Sequence, residues 1–305
     1  MSSKTLFLAF PRGFCAGVNR AILTVEKALK KFGTPLYVNH EIVHNQFVVN
    51  NFKRQGVIFT DNLEEIPSHS IYIFSAHGVS PQFRIKAEEK KLKIIDATCP
   101  LVTKVHWEAQ KFAEERQKIF YIGQKDHQEF LGVKGIGNIE LLENLESVEK
   151  LKSQNFKNTR VVCLSQTTLS VDDTQSILKA LKQKIPHVRT PEDICYATTN
   201  RQKAVKNLAE ICDFIAVIGS KNSSNSNKLV TTAQQLGCPS QLFENAESIN
   251  DQIFQYEKIG LTSGASVPEI LVENIIQIFK IKQDHLKIEE IKIFDETVTF
   301  PLPQI

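Results

Sequence analysis

The sequence predicts an α/β fold of several small, related modules with mainly parallel sheets, and three observations carry that prediction. Short apolar runs alternate with amphipathic helical stretches along the chain. A turn of small polar residues separates each run from the helix that follows. Three units carry a cysteine at the turn, Cys15, Cys99 and Cys195, spaced by 84 and 96 residues, which points to a degenerate threefold repeat.

Taken in order, the apolar run Thr5–Phe10 leads through Pro11-Arg12-Gly13-Phe14-Cys15-Ala16-Gly17 into a helix from about Asn19 to Phe32. Ile71–Phe74 leads into Ser75-Ala76-His77-Gly78 and a charged helix near Gln82–Leu92. Lys93–Ile95 is followed by Asp96-Ala97-Thr98-Cys99-Pro100 and a helix to about Arg116. Ile119–Ile122 precedes the turn Gly123–Glu129, and Arg160–Leu164 precedes Ser165-Gln166-Thr167-Thr168. Phe214–Ile218 precedes Gly219–Asn227, and Ile259–Thr262 precedes Ser263-Gly264-Ala265-Ser266 and a helix to about Ile281. The segment after about Lys282, strand-like over Ile288–Phe294, is expected to close over the cavity that these turns would line. The polar run Asn222–Asn227 lies between a strand and a helix and reads as a binding loop.

Composition narrows the function classes. At roughly 150 residues per domain, 305 residues suit about two domains, with one or three also compatible. A 42% hydrophobic and 23% charged composition excludes wholesale disorder and coiled coil. The longest apolar runs fall far short of the ~20 residues of a membrane span. Thr5–Phe10, cut off by Pro11 and Arg12, is too short for a signal h-region, so no membrane partner is expected. A formal charge of +3, evenly spread, argues against nucleic acid. Six cysteines without a CxxC pair, in a chain long enough to build a core, favour a cytoplasmic setting with reduced or metal-bound thiols.

In open α/β sheets, ligands bind at the carboxyl ends of strands beside helix N-termini. Cys15, His44, His77, Cys99, His127, Glu129, Thr167, Thr168, Ser223, Ser224, Asn225 and Ser266 all fall in such turns and would line one cavity if the modules face one another. Cysteine is often just a small core hydrophobe. That reading suits Cys163, Cys212 and Cys238. It suits Cys15, Cys99 and Cys195 poorly, since they lie just past apolar runs where a helix N-terminus favours thiolate. Three thiolates fit zinc, completed by His127 or water, or an iron–sulfur cluster with one iron left without a protein ligand. Spacing does not choose between them.

The oxygen-rich turns point to an anion, because hydroxyls, amides and backbone N–H groups at helix N-termini bind phosphate. No GxxxxGK[ST] and no GxGxxG after the first strand is present. One Ser or Asn at a turn is commonly only an N-cap. Several such turns, with His44 and His77 as cationic partners, favour a compact diphosphate. Glu129 is the carboxylate beside a turn histidine, and in a desolvated pocket it would deliver a proton. A solvated glutamate at a helix start is the common alternative.

The motifs Pro11–Val18, Asp96–Pro100, Gln166–Ser170, Asp193–Gln202 and Gly219–Asn227 together resemble the 4-hydroxy-3-methylbut-2-enyl diphosphate reductase (IspH/LytB) family, in order over nearly the whole chain. The resemblance implies three α/β modules, 15–97, 98–193, and 1–14 with 194–305, in a pseudo-threefold trefoil around one central [4Fe–4S] cluster per chain. It implies Cys15, Cys99 and Cys195 as cluster ligands, and Glu129 with Thr167 as the proton relay. His44, His77, His127, Thr168, Ser223, Ser224, Asn225 and Ser266 are the implied substrate-binding residues. The implied reaction is the two-electron reductive dehydroxylation of (E)-4-hydroxy-3-methylbut-2-enyl diphosphate to isopentenyl and dimethylallyl diphosphate, with the substrate hydroxyl on the unique iron. This is the last step of the methylerythritol phosphate isoprenoid pathway, and a ferredoxin or flavodoxin is the implied donor. Two departures stand out: Gln128 between His127 and Glu129, where the family has proline, and Asn19, where it has aspartate. A non-redox hydratase and a metal-binding sensor are the competing readings. Consumption of two electrons per product separates the first, and zinc without iron would mark the second.

Overall fold

Every strand pairing among the described residues of the computed structural model is parallel, as a chain of strand–helix units requires. The structure describes residues 4–152, 156–157, 159–283 and 285–305. The first elements are β1 (Thr5–Phe10), α1 (Ala16–Phe32), β2 (Leu36–Val38), α2 (Gln46–Arg54), β3 (Val57–Phe59), β4 (Ile71–Phe74), α3 (Pro81–Glu89) and β5 (Lys93–Asp96). Then come α4 (Pro100–Glu114), β6 (Lys118–Ile122), α5 (Gln128–Val133), β7 (Ile139–Leu142), α6 (Leu145–Glu149), β8 (Val161–Ser165) and α7 (Val171–Lys184). The last are α8 (Tyr196–Ala209), β9 (Phe214–Ile218), α9 (Ser224–Gln235), β10 (Ser240–Phe243), β11 (Lys258–Ser263), α10 (Glu269–Lys282) and β12 (Lys287–Lys292).

These strands form three sheets, in the orders β10-β9-β11-β1-β12, β3-β2-β4-β5 and β7-β6-β8. The chain divides into two compact units: Met1–Val18, His44–Val48 and Tyr196–Thr299 make one, and Asn19–Val43, Val49–Cys195 and Phe300–Ile305 the other. In the first, β9 is buried at every position, as a strand covered on both faces must be. Its side chains alternate with period two. Ala216 and Ile218 join Leu6, Leu261, Ile275 and Phe279 in one core layer. Ile215 and Val217 join Val205, Leu208 and Leu229 in the other. Each Leu, Ile, Val or Phe side chain so buried contributes about 1.5–3 kcal/mol of transfer free energy.

The second unit repeats this logic in its three-stranded sheet. Phe120, Ile122 and Cys163 pack on one face against Ile177 and Leu181. Ile119, Tyr121, Val162 and Leu164 pack on the other against Val105, Ala109 and Phe130. In the four-stranded sheet, Tyr72 and Phe74 pack with Ala87 and Leu92. Among the described residues no helix is long and apolar enough to cross a membrane.

The predicted strands form, with small shifts at their ends. Helix α1 starts earlier than expected, directly after Cys15. Helix α3 ends at Glu89 rather than near Leu92, because Lys91 takes a left-handed φ of 59° and the Leu92 N–H turns back to the Ala87 carbonyl. Strands β2, β3, β7 and β10, each three or four residues long, escaped the sequence reading. The strand expected at Ile288–Phe294 is β12, which pairs with β1 at the sheet edge. Farther on, the Pro301 carbonyl accepts from Arg20 Nε at 2.8 Å.

Candidate active site

The six cysteines fall into two chemical groups. Cys163, Cys212 and Cys238 are buried in the hydrophobic layers. Burial drives the Cys163 thiol far above its ordinary range and pushes Cys212 up to about 12. Cys15, Cys99 and Cys195 are half-buried and immediately precede α1, α4 and α8. No disulfide occurs among the described residues. Three half-buried cysteines, each directly before a helix start, offer the kind of donors that a thiolate-ligated metal group requires. Cys15 and Cys99 lie between a strand and a helix. Cys195 differs from the expected strand-end placement, because the segment before it carries only an isolated bridge from Arg189 to Val162.

All three cysteine backbones are held the same way. The Cys15 N–H donates to the Ala265 carbonyl at 3.1 Å, Cys99 to Ala76 at 3.0 Å and Cys195 to Thr167 at 3.1 Å. The acceptors are Thr167 itself and the residues just before Ser266 and His77. One backbone bond therefore ties each candidate metal ligand to a loop carrying a candidate substrate group.

In the first unit, Ser223 caps α9, accepting from the Ser226 amide at 3.3 Å and hydroxyl at 3.0 Å. That cap leaves Ser224 and Asn225 in the first helical turn, both buried. Asn225 Oδ1 accepts from the Ala265 N–H at 2.9 Å, and its Nδ2 donates to Thr198 Oγ1 at 3.3 Å. Cys15 and Asn225 thus grip the carbonyl and the amide of the same residue. Ser266 Oγ donates to the His44 carbonyl at 2.9 Å. Gly264 lets the start of α9 come close to this loop, since a Cβ there would lie 2.0 Å from Ser226 Oγ.

In the second unit, Glu129 sits in the first turn of α5, which His127 caps by accepting the Glu129 N–H on Nδ1 at 3.2 Å. The ring of His77 meets that of His127 edge-on, with centroids 6.2 Å apart. The carboxylate of Glu129 is buried and receives two bonds from Thr167, amide to Oε2 at 2.8 Å and hydroxyl to Oε1 at 2.9 Å. Burial raises the Glu129 pKa, the Thr167 bonds oppose it, and the buried Asp193 adds to it; the result is about 7. Beside them, Gln166 Nε2 donates to Thr168 Oγ1 at 2.9 Å. A carboxyl protonated near neutrality, with a hydroxyl against it, is equipped for general acid chemistry.

The structure thus gathers His44, Ser223, Ser224, Asn225, Ser266 and Cys15 in one unit. It gathers His77, Cys99, His127, Glu129, Thr167, Thr168 and Cys195 in the other. Sequence reasoning missed three supporting residues inside the quoted motif Asp193–Gln202. Asp193 accepts the Ser165 N–H at 2.9 Å and pairs with Lys104 at 3.0 Å, and burial lifts its pKa to about 6. Tyr196 Oη accepts the Ala16 N–H at 3.3 Å. Arg201 is fully buried and donates to the Gly13 carbonyl at 2.7 Å. The signal available was a charged side chain on the helix face that otherwise presents Ala197, Ala204, Val205 and Leu208 to the core.

Known proteins match this chain over nearly its full length. Residues 6–280 match the LytB protein family. The 4-hydroxy-3-methylbut-2-enyl diphosphate reductase of Histophilus somni is 46% identical, over 98% of this chain and 97% of its own. The protein of the same name from Haemophilus influenzae (strain PittGG) is 47% identical, with the same coverage of both chains. The solved structure of the E-1-hydroxy-2-methyl-but-2-enyl-4-diphosphate reductase from Plasmodium falciparum superposes with a TM-score of 0.95 at 41% identity, covering 99% of this chain and 96% of that one. Three parallel sheets, cysteines opening three helices and this full-length likeness lead to one conclusion: the chain belongs to the LytB protein family.

Proposed function

We propose that this chain is a 4-hydroxy-3-methylbut-2-enyl diphosphate reductase acting in the cytoplasm, at the last step of the non-mevalonate route to isoprenoids. It would take (E)-4-hydroxy-3-methylbut-2-enyl diphosphate, two electrons and two protons to isopentenyl or dimethylallyl diphosphate and water. The observation that carries the reading is the shared backbone bond from each candidate ligand cysteine to a loop bearing a candidate substrate group. Cys15, Cys99 and Cys195 would hold one [4Fe–4S] cluster, which when bound would relay the donor's electrons one at a time and offer a Lewis-acidic iron. The three α/β modules, 15–97, 98–193, and 1–14 with 194–305, would each contribute one of these cysteines.

The remaining steps belong to the protein's own residues. Ser223, Ser224, Asn225 and Ser266 would donate to the diphosphate, the first three at the start of α9, where N–H groups favour an anion. His44, His77, His127 and Thr168 would contribute further contacts to the substrate. Anchoring the tail fixes the allylic hydroxyl in one place, which is the positioning contribution. Glu129, neutral below its pKa of about 7, would pass its proton through the Thr167 hydroxyl to the departing oxygen, so that water leaves instead of hydroxide. A proton taken up at either end of the allyl system would give the two products.

The electron donor would be a small reduced ferredoxin or flavodoxin. Anaerobic purification with iron and sulfide assays, followed by counting electrons consumed per product, tests the reading. It predicts four irons and four sulfides per chain, and two electrons per turnover. Zinc without iron, or turnover without electron consumption, would overturn it.

A further inference from the structure

We propose that Arg201 and Glu296 are positioning residues that hold the Cys15 turn against helix α8, so that the segment following β12 sets how firmly the cluster is kept. The inference rests on the reading that Cys15 and Cys195 are cluster ligands. Arg201 lies on α8 with its side chain fully buried, and its ion-pair partner is Glu296. A buried guanidinium is tolerated only when paired and hydrogen-bonded. Nη1 donates to the Ala197 carbonyl at 3.0 Å and to Glu296 Oε1 at 3.1 Å. Nη2 donates to the Gly13 carbonyl at 2.7 Å and to Glu296 Oε2 at 3.2 Å. Asn200 Nδ2 also donates to Glu296 Oε1, at 3.1 Å.

The Gly13 carbonyl lies two residues before Cys15, in a turn with little freedom left. Gly13 takes a left-handed φ of 70°, and its N–H donates to Ser263 Oγ at 2.8 Å. The Cys15 N–H is held by Ala265, and the Ala16 N–H by the hydroxyl of Tyr196, the residue after Cys195. Two side chains of α8, Tyr196 and Arg201, therefore grip the Cys15 turn at residues before and after the cysteine. Removing Glu296 leaves an uncompensated buried charge on one of those grips.

The test uses anaerobically prepared holoenzyme. Cluster release to an iron chelator is followed by visible absorbance, alongside the electron paramagnetic resonance spectrum of the reduced protein and the thermal midpoint of the cluster-free form. Glu296→Ala is expected to release iron about tenfold faster or more, as when a group that orients a metal ligand is lost. Glu296→Gln, which still accepts from Asn200, is expected to fall between it and the parent. The decisive variant is Arg201→Met with Glu296→Leu, which replaces the buried pair by apolar side chains and keeps the packing. A cluster-free midpoint near the parent's, with iron release as fast as in Glu296→Ala and an altered resonance spectrum, supports positioning. Parental release and an unchanged spectrum in that double variant overturn the proposal, even if Glu296→Ala alone does not fold. If Cys15→Ser and Cys195→Ser both keep full iron and sulfide, the ligand reading itself has failed instead.

Discussion

Thr167 holds both oxygens of Glu129, its amide 2.8 Å from Oε2 and its hydroxyl 2.9 Å from Oε1. Both bonds favour the carboxylate, yet burial outweighs them and leaves the pKa near 7. A glutamate that keeps its proton up to neutral pH is suited to donate it, and its neighbour's hydroxyl, turned to accept from the acid form, would be the first stop on the way out. The substitution Glu129→Gln should keep the cluster spectrum and lower turnover about 10²–10⁴-fold, the usual worth of a general acid. The sign of the pH dependence follows from the raised pKa. The acid is protonated below about pH 7, so the parent's rate should fall as pH rises through that value. Rate–pH profiles of parent and variant check this, since the variant should lack that limb.

Thr167→Val removes the hydroxyl bond and keeps the amide bond. Losing one group that favours the carboxylate raises the Glu129 pKa further. The descending limb of the rate–pH profile should move to higher pH while the maximal rate falls, because the relay is interrupted. A limb that stays in place would mean that the hydroxyl bond has no hold on the acid.

The two cysteine groups should respond in opposite ways. Cys99→Ser is expected to lose the visible absorbance of the cluster. Cys163→Ala, deep in the layer with Phe120 and Ile122, should keep full iron content and cost about 0.5–3 kcal/mol of stability. Iron assays and chemical denaturation of both variants separate metal binding from packing.

Asn225→Ala deprives the Ala265 N–H of its acceptor and, on the proposed reading, the diphosphate of a donor. The orphaned amide costs about 1–3 kcal/mol if it stays buried. KM should rise more than kcat falls, with iron content near parental, as steady-state kinetics and iron assays would report.

Gln128 stands where the resemblance implied proline, and its place in the structure would accept that residue. It is the first residue of α5, and His127 before it is extended at φ −77° and ψ 139°. Proline fits such a first helical position, whose N–H has no acceptor within the helix, and accepts an extended residue before it. Gln128→Pro should therefore leave activity unchanged and stabilise the chain by about 0.4–1 kcal/mol. A thermal scan with an activity assay tests this.

The sequence by itself determined the alternation of strand and helix, the parallel pairing, and the sorting of cysteines into core and turn. These are properties of local pattern: Phe214–Ile218 is apolar at every position, and Cys15, Cys99 and Cys195 each stand before a helical stretch. Most of the candidate site was legible for the same reason, because turns at strand ends concentrate polar side chains in short motifs. Only the tertiary structure decided which partners those residues meet. Nothing near Glu129 in the chain marks Thr167, 38 residues away, as the group on its carboxylate. Nothing near Arg201 marks Glu296, 95 residues on, as its counter-ion. Desolvation and long-range hydrogen bonds arise only when distant segments pack. The raised Glu129 pKa and the backbone bonds shared by the three cysteines are therefore properties of the folded chain.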